Sequence, residues 1–304
     1  MVSGGDAAIA NAPEIRLEED MRAQQRTGLY KPETVAEALA ALSDLGGGTI
    51  MAGATWIMRA PFRREPMKPA YVSLAQVPEL HRLEVTQTHV RIGSAVTHAR
   101  LVRELQALPE LSGLVTAAGD SANPAVRQAA TVGGNLCTAD FAAADLVPAL
   151  LCHDAEVEIL TTEGRQLLSL DAFLGLRQRL ESAYLLVSVL VPRRPLASAH
   201  ARLPLRKAGD YPVAIVSVAV ERRPDGDMRG AAIAVGSVEA VARRWRGLER
   251  AVEGLPLDAM RIHQLALDLA DEFVGRDGPE VPGWYRVKVL PTLVRRAFAK
   301  LQQH

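Results

Sequence analysis

Residues 126–135 read VRQAATVGGN, a short segment that contains the glycine pair Gly133-Gly134. The segment AATVGGN predicts a strand that enters a glycine turn, because apolar and β-branched residues lead into residues without side chains. A second glycine turn, AGAT at 52–55, follows a short buried strand predicted at 49–51. Backbone N–H groups cradle a phosphate only where no side chain blocks the approach. Both turns are therefore candidate anion-binding loops.

The elements around these two turns indicate an α+β fold. Pro32 suits a first helical turn, the segment TVAEALAALSDL predicts a helix over 34–45, and Gly46-Gly47-Gly48 stops it. A hairpin turn is predicted at 162–165. Strands are predicted at PAYVSLAQ (69–76), THVRIGSAV (88–96), AEVEIL (155–160) and RQLLSL (165–170), and helices at ARLVRELQAL (99–108), SGLVTAAGD (112–120) and DLVPALLCH (145–153).

The pattern shifts after Pro192-Arg193-Arg194-Pro195, a proline-basic segment suited to a linker. Two long apolar strands, 211–223 and 229–238, flank Pro224–Asp227, which is a strong hairpin signal. Two amphipathic helices close the chain at 257–274 and 284–301, and Pro291 is expected to interrupt or bend the second.

The composition excludes several classes of protein. Lys+Arg and Asp+Glu each number 35, so neither a phosphate-backbone binder nor a polybasic membrane surface is indicated. Aromatic residues are 4% of the chain, too few for a nucleic-acid stacking platform. No apolar run approaches the roughly 20 residues of a membrane span, and residues 1–22 read as a loose acidic tail rather than a secretory signal. We expect a cytoplasmic protein of two domains, since 304 residues exceed one ordinary core.

The cysteines and histidines indicate no metal site in this chain. Cys137 and Cys152 are the two cysteines, too few for a disulfide framework or for the four thiolates of an iron–sulfur cluster. The seven histidines show no metal-ligand spacing. Cys137 is interpreted as a small buried side chain.

Neither glycine turn is a standard nucleotide motif. Neither reads G-x-G-x-x-G and no G-K-[ST] follows, so Rossmann and P-loop interpretations fail. Thr55, Thr131 and Asn135 add side-chain donors beside the glycines. Tight turns without a ligand are the alternative interpretation, and the residues by themselves indicate a two-domain α+β protein with anion-binding loops.

In their wider context, AGATWIM (52–58) and NPAVRQAATVGGNLCTADFAAADLVPALL (123–151) resemble the medium, FAD-binding subunit of the molybdenum hydroxylases. This is the xanthine dehydrogenase and carbon monoxide dehydrogenase family, whose loops read A-G-G-T and V-R-N-x-A-T-[IV]-G-G-N, with an aspartate further on. The resemblance covers nearly the whole chain. It implies a two-subdomain FAD-binding domain of the vanillyl-alcohol-oxidase/PCMH type at 23–194, divided into about 23–80 and 81–194. A smaller α+β C-terminal domain with an antiparallel sheet and helices is implied at 199–304.

By this resemblance the pyrophosphate of FAD lies between the two loops. Asp145 matches the family's later aspartate, which accepts a hydrogen bond from a ribose or ribityl hydroxyl. Capping the following helix is an alternative role for Asp145, and both roles can hold at once. The implied cofactor-binding residues are Met51, Ala52, Gly53, Ala54, Thr55, Trp56, Ile57, Ala130, Thr131, Gly133, Gly134, Asn135, Leu136, Asp145 and Arg202.

Several positions depart from the family's pattern. Ala54 stands where the family often has glycine, and Phe141 where it commonly has proline. The segment TADFAAAD, residues 138–145, is one residue longer than the usual spacing. Arg202 is the nearest match to a family lysine near the flavin, with Lys207 as a competitor; a solvated charge is the alternative for both.

The resemblance implies an oxidoreductase subunit that relays electrons, with no catalytic side chain and no metal of its own. It implies dissociable FAD in this chain, [2Fe–2S] clusters on a small partner subunit and a molybdenum cofactor on a large one, in a heterotrimer or a dimer of heterotrimers. NAD, oxygen, a quinone or another carrier would accept the electrons. Two alternatives are a stand-alone FAD-dependent oxidoreductase of the same superfamily and a scaffold that has lost its flavin.

Overall fold

Three β-sheets follow one another along the chain in the computed structural model, which describes residues 28–45, 49–180, 183–206, 210–224 and 227–302. The first sheet is parallel and consists of β1 (Gly28–Tyr30), β2 (Thr49–Met51) and β3 (Ala70–Ser73), with β3 in the middle. Helix α1 (Val35–Asp44) connects β1 to β2, as parallel strands require a crossover connection.

The second sheet has five antiparallel strands. They are β4 (Leu83–Val85), β5 (His89–Gly93), β6 (Glu156–Thr161), β7 (Gly164–Ser169) and β8 (Tyr184–Pro192), in the order β4-β5-β8-β6-β7. Six helices accompany this sheet: α2 (His98–Leu105), α3 (Ser112–Asp120), α4 (Pro124–Ala129), α5 (Val132–Cys137), α6 (Leu146–Cys152) and α7 (Leu170–Leu176).

The third sheet has four antiparallel strands. They are β9 (Ala197–Pro204), β10 (Pro212–Arg222), β11 (Met228–Gly236) and β12 (Arg243–Arg244), in the order β12-β11-β10-β9. Helices α8 (Arg246–Val252), α9 (Ala259–Asp268), α10 (Gly283–Lys288) and α11 (Leu290–Gln302) accompany it. The predicted α+β class is confirmed by these three sheets and their helices.

Side-chain capping explains where many of the helices begin. Thr34 accepts a hydrogen bond from the Glu37 N–H at 3.1 Å, so α1 begins one residue later. The prediction that Pro32 lies in the first helical turn is therefore wrong, because the cap falls at Thr34. The same type of cap is made by Thr97, Asn123, Thr131, Ser169 and Asp258.

The glycine pair lies in a helix, and the predicted strand over AATVGGN is wrong. Thr131 has an extended backbone and its hydroxyl accepts from the Gly134 N–H at 3.1 Å, which starts α5 at Val132. Thr131 does form an isolated antiparallel β-bridge with Thr97. A threonine cap and tertiary packing therefore outweigh the poor helix propensity of two glycines, about 1 kcal/mol each.

Helix α6 joins the second sheet to the third. All of its residues are buried, and its core cluster includes Ala219 of β10 and Ala234 of β11. The Cys152 thiol donates to the Ser217 carbonyl at 3.1 Å. The break between α10 and α11 falls at Val289, which places Pro291 in the first turn of α11, as proline geometry favours. Gly46–Gly48, Lys207 and the Asp225-Gly226 hairpin tip lie outside the described residues.

Candidate functional site

A cleft of about 960 Å³ lies between the first sheet and the helices of the second. Its volume and mixed polar and apolar lining are of the kind that binds cofactors. Twelve of the residues predicted to bind the cofactor line it: Ala52, Gly53, Ala54, Thr55, Trp56, Ile57, Ala130, Thr131, Gly133, Gly134, Asn135 and Asp145. The fold therefore brings together two segments that lie far apart in the sequence.

The first loop packs directly against the backbone that precedes the second. A Cβ on Gly53 would lie 1.9 Å from the Ala129 carbonyl oxygen, so only glycine fits there. The next residue, Ala54, has a φ of 58°, in the left-handed region. The backbone N–H groups of Gly53–Trp56 donate to no described residue. A run of such groups around a left-handed residue is an anion-binding concavity.

The second loop contributes differently from the prediction. The N–H of Gly133 donates to the Ser94 carbonyl at 2.7 Å, and the N–H of Asn135 donates to the Thr131 carbonyl at 3.0 Å. With Gly134 bonded to the Thr131 hydroxyl, the three N–H groups at 133–135 are already used within the protein. The interpretation that the glycine pair opens its backbone N–H groups to a phosphate is therefore wrong. The absence of a side chain at Gly133 serves close packing, because a Cβ would lie 2.9 Å from the Ser94 carbonyl oxygen.

Asp145 forms a buried ion pair at the floor of the cleft. Its Oδ1 accepts from Nε of Arg202 at 2.9 Å and lies 3.5 Å from Nε2 of His200. Asp145 stands at the N-cap position of α6 but its side chain makes no capping bond; the Asn135 Oδ1 instead accepts from the Leu146 N–H at 3.2 Å. No described residue donates to Oδ2 of Asp145, which leaves an acceptor for a ligand hydroxyl.

Arg202 is not a solvated charge. Its side chain is 7% exposed. Besides the Asp145 contact, it donates to the Asp120 carbonyl at 2.9 Å and the Asp210 carbonyl at 2.6 Å. Arg202 therefore holds Asp145 in place and does not itself line the cleft. Lys207, its competitor, lies outside the described residues.

Two other predicted residues also lie behind the cleft wall. Leu136 is fully buried in the core of the second sheet, and Met51 ends β2 with its carbonyl accepting from the Leu74 N–H at 3.0 Å. Trp56 lies at the rim, where its ring centroid is 4.8 Å from that of Phe141. The guanidinium of Arg63 covers the Trp56 ring at 4.0 Å.

Several polar residues of the cleft carry no recognisable signal in the sequence. Ser94, in the turn after β5, is 3% exposed and its hydroxyl has no hydrogen-bond partner among the described residues. His98 is 2% exposed, and its Nδ1 lies 2.7 Å from the Ser121 hydroxyl. Tyr184 and Tyr211 also line the cleft. An unpartnered buried hydroxyl at the wall fits a polar ligand.

The two cysteines are free and not poised for redox exchange. Burial raises the pKa of the Cys137 thiol to about 12, with Arg177 opposing the shift, and burial likewise raises the pKa of Cys152 to about 12. Both are therefore thiols at neutral pH. Within the described ranges, no group of three or more His, Cys, Asp or Glu side chains could hold a metal ion.

We expect Ala54→Gly to stabilise the chain by up to about 1 kcal/mol, because glycine accepts a positive φ without the Cβ clash. The matched control is Ala52→Gly, which has no left-handed backbone to relieve and should be destabilising. Urea unfolding of both variants, with FAD bound, measures the difference. Equal destabilisation by the two substitutions would contradict strain at residue 54.

Acid is expected to destabilise the fold through His98. Burial lowers the pKa of His98 to about 4, against the ordinary 6.5, with Asp145 opposing the shift. The unfolded chain therefore binds a proton that the folded chain refuses, so stability falls as the pH drops from about 6.5 to about 4, by up to about 3 kcal/mol. His153, whose pKa is also about 4, acts in the same direction.

Urea unfolding near pH 7 and near pH 5 tests this expectation. His98→Gln should lose less stability on acidification than the unsubstituted chain, since it has no imidazole to protonate. An unchanged difference between the two pH values would contradict the role of His98.

The residues of the cleft fit FAD. The open N–H groups of Gly53–Trp56 suit a pyrophosphate, and the Asp145 carboxylate suits a sugar hydroxyl. The apolar walls of the cleft suit a large ring system. A Cβ at residue 53 would fill the space between the two loops, so this part of the cleft depends on glycine.

Comparison with known proteins gives the same ligand. Residues 23–194 match the family described as the FAD binding domain in molybdopterin dehydrogenase, and residues 200–301 match the CO dehydrogenase flavoprotein C-terminal domain. The xanthine dehydrogenase FAD-binding subunit of Escherichia coli O157:H7 is 24% identical over 278 residues, which cover 89% of this chain and 94% of the relative. The nicotine 6-hydroxylase medium subunit of Paenarthrobacter nicotinovorans is 30% identical over 166 residues, covering 54% and 58%.

Two solved structures share the fold. Carbon monoxide dehydrogenase from Hydrogenophaga pseudoflava aligns with a TM-score of 0.82 at 23% identity, over 91% of this chain and 98% of that one. Quinoline 2-oxidoreductase from Pseudomonas putida 86 aligns with a TM-score of 0.80 at 22% identity, over 91% and 97%. The predicted fold, an FAD-binding domain followed by a smaller C-terminal domain, is confirmed. The chain belongs to the family of FAD-binding subunits of the molybdenum hydroxylases, and it is an FAD-carrying oxidoreductase component of that family.

Proposed function

We propose that this chain accepts electrons from [2Fe–2S] clusters on a small partner subunit and delivers them to an external acceptor. The molybdenum cofactor belongs to a large partner subunit, in a cytoplasmic heterotrimer. The observation that carries the proposal is the cleft itself, whose described residues fit a flavin cofactor. Bound FAD supplies the chemistry, since a flavin exchanges electrons singly or in pairs.

The residues of this chain hold and orient the cofactor. We assign the open N–H groups of Gly53–Trp56 to the pyrophosphate and the Asp145 carboxylate to a sugar hydroxyl. Thr131 and Asn135 shape the opposite wall, where each also fixes a helix start. We propose the domain division 23–194 and 199–304, with the flavin domain divided near residue 80.

The membrane plays no part in this proposal, and among the described residues no helix is both long and apolar enough to cross a bilayer. The expected acceptor is a soluble carrier or a nicotinamide dinucleotide.

Electron flow through this subunit is tested by reconstituting the complex with and without flavin. The chain is purified with its two partners, and FAD is released by mild acid or heat from half of the preparation. Without FAD, the substrate should still bleach the cluster absorbance, while reduction of the acceptor stops. Adding FAD should restore acceptor reduction.

Acceptor reduction that continues at full rate without FAD would overturn the proposed electron route. A lone chain that oxidises a substrate without its partners would overturn the subunit role and favour a stand-alone oxidoreductase. In either case the yellow compound released by acid still reports whether the cleft holds FAD.

A further inference from the structure

Ser94 lies at the wall of the cofactor cleft, in the turn after β5. It is 3% exposed, and its hydroxyl has no hydrogen-bond partner among the described residues. Its backbone is engaged, because the Ser94 N–H donates to the Val187 carbonyl at 2.9 Å and the Ser94 carbonyl accepts from the Gly133 N–H at 2.7 Å. A buried hydroxyl is normally hydrogen-bonded, so this one indicates a partner outside the chain.

A second hydroxyl proton is unassigned on the same wall. The Thr131 Oγ1 accepts from the Gly134 N–H at 3.1 Å, and it donates to no described residue. Thr131 is 6% exposed and also lines the cleft. A hydroxyl carries one proton besides its lone pairs, so the helix cap leaves the Thr131 proton available to a ligand.

The two hydroxyls flank the glycine pair at the start of α5. A Cβ on Gly133 would lie 2.8 Å from the Ser94 Cβ, and a Cβ on Gly134 would lie 3.1 Å from the Thr131 Oγ1. Because both positions are glycine, no side chain stands between these hydroxyls and the cleft.

The first loop approaches the same place. A Cβ on Gly53 would lie 1.9 Å from the Ala129 carbonyl oxygen and 3.2 Å from the Ala130 Cα, and Thr131 follows directly in the chain. The open N–H groups that begin at residue 53 and the hydroxyl of Thr131 therefore border the same part of the cleft.

Charged donors are scarce in this cleft. Arg59 is the one arginine among its described lining residues, which include no lysine, and its guanidinium donates to the Tyr211 hydroxyl at 2.8 Å. His98 also lines the cleft, but burial lowers its pKa to about 4, so its ring is neutral near pH 7. An anionic group in the cleft is therefore held mainly by neutral N–H and O–H donors, and each of them matters more.

We propose that Ser94 is a further cofactor-binding residue, whose hydroxyl donates a hydrogen bond to the pyrophosphate of FAD. The inference rests on the proposed assignment of that pyrophosphate to the first loop. Thr131, on the other flank of the glycine pair, donates its remaining proton to the same group. Serine and threonine hydroxyls are common phosphate donors, because the proton rotates toward an oxygen while the side chain stays fixed.

Ser94→Ala tests the proposal in the full-length chain from which FAD has been removed. A titration followed by flavin fluorescence should show FAD bound about tenfold more weakly, because a hydrogen bond to a charged group is lost. Riboflavin, which has no phosphate, should bind within about twofold of its affinity for the unsubstituted chain. The urea midpoint of the flavin-free chain should be unchanged or higher, since the substitution removes a buried hydroxyl that has no partner there.

Ser198→Ala is the matched control, because Ser198 is a buried serine outside the cleft whose hydroxyl is paired within the protein. This hydroxyl donates to the Glu110 carbonyl at 2.7 Å and accepts from the Gly113 N–H at 2.9 Å. Ser198→Ala should lower the urea midpoint and leave the FAD affinity of the folded chain unchanged. The two serines therefore give opposite patterns, which a purely structural role of Ser94 would not produce.

Unchanged FAD affinity in Ser94→Ala would overturn the role of Ser94, and so would a stability loss equal to that of Ser198→Ala. Equal weakening of FAD and riboflavin would place the contact on the flavin part and overturn the phosphate assignment. An unsubstituted chain that binds riboflavin as tightly as FAD would overturn the placement of the pyrophosphate itself. Failure of the electron-route test in the reconstituted complex would alter none of these results.

Discussion

Gly53→Ala is expected to weaken FAD binding by about 100-fold or more and to lower the stability of the chain. The added Cβ would lie 1.9 Å from the Ala129 carbonyl oxygen, and the atoms it meets are backbone, which cannot rotate away. Relief requires the first loop to move off the start of the second, which costs about 3 kcal/mol or more. The open N–H groups at 53–56 would then no longer point into one concavity.

Gly175→Ala is the matched control for this change. Gly175 lies in α7, and a Cβ added there would have no heavy atom within 4 Å, so alanine should be neutral or slightly stabilising. FAD affinity is measured by fluorescence titration of the stripped chain, and stability by urea unfolding. Full FAD retention by Gly53→Ala would show that the contact between the two loops is dispensable.

Arg202→Met is expected to destabilise the chain by about 3–5 kcal/mol, because it leaves the Asp145 carboxylate buried without its partner. The Asp145 side chain is only 2% exposed, so water cannot replace the guanidinium. The two carbonyls of Asp120 and Asp210 lose a donor as well. FAD binding should fall with stability, since Asp145 lines the cleft.

A double-mutant cycle separates the ion pair from these secondary losses. Asp145→Asn combined with Arg202→Met removes both charges and should cost less than the sum of the single changes. Urea unfolding gives the free energies, with Arg229→Met, an arginine in the exposed ion pair to Glu221, as the control. Strict additivity of the two substitutions would contradict a coupled buried pair.

Local sequence signals predict much of the fold. The helix over 34–45, the apolar helix at 145–153 and the hairpin turn at 162–165 rest on periodicity, caps and turn residues, which act within a few positions. The first cofactor loop is recognisable as a glycine turn, whereas the second is recognised through its resemblance to the family's loop, since its glycines lie in a helix. Their contact at Gly53 and Ala129 is not, since it depends on packing between segments far apart in the chain.

The remaining differences between the sequence predictions and the structure all arise from tertiary packing. The segment AATVGGN reads as a strand, yet a cap by Thr131 and close packing on Ser94 make it a helix. Arg202 is predicted from the sequence as a cofactor-binding residue, with a solvated charge as the alternative, yet the fold places it beside Asp145 in a buried ion pair. Ser94 and His98 carry no signal of their own, because a lone serine or histidine acquires a role only from its surroundings.

The first sheet is built from strands of three and four residues, and its core includes Leu185 and Val187 of the second sheet. We expect such a small unit to open locally more readily than the larger second and third sheets. A ligand that touches both sheets stabilises the closed form by mass action. Bound FAD is therefore expected to hold the first sheet against the second. The amide hydrogens of β1, β2 and β3 should exchange with solvent faster when the protein lacks FAD.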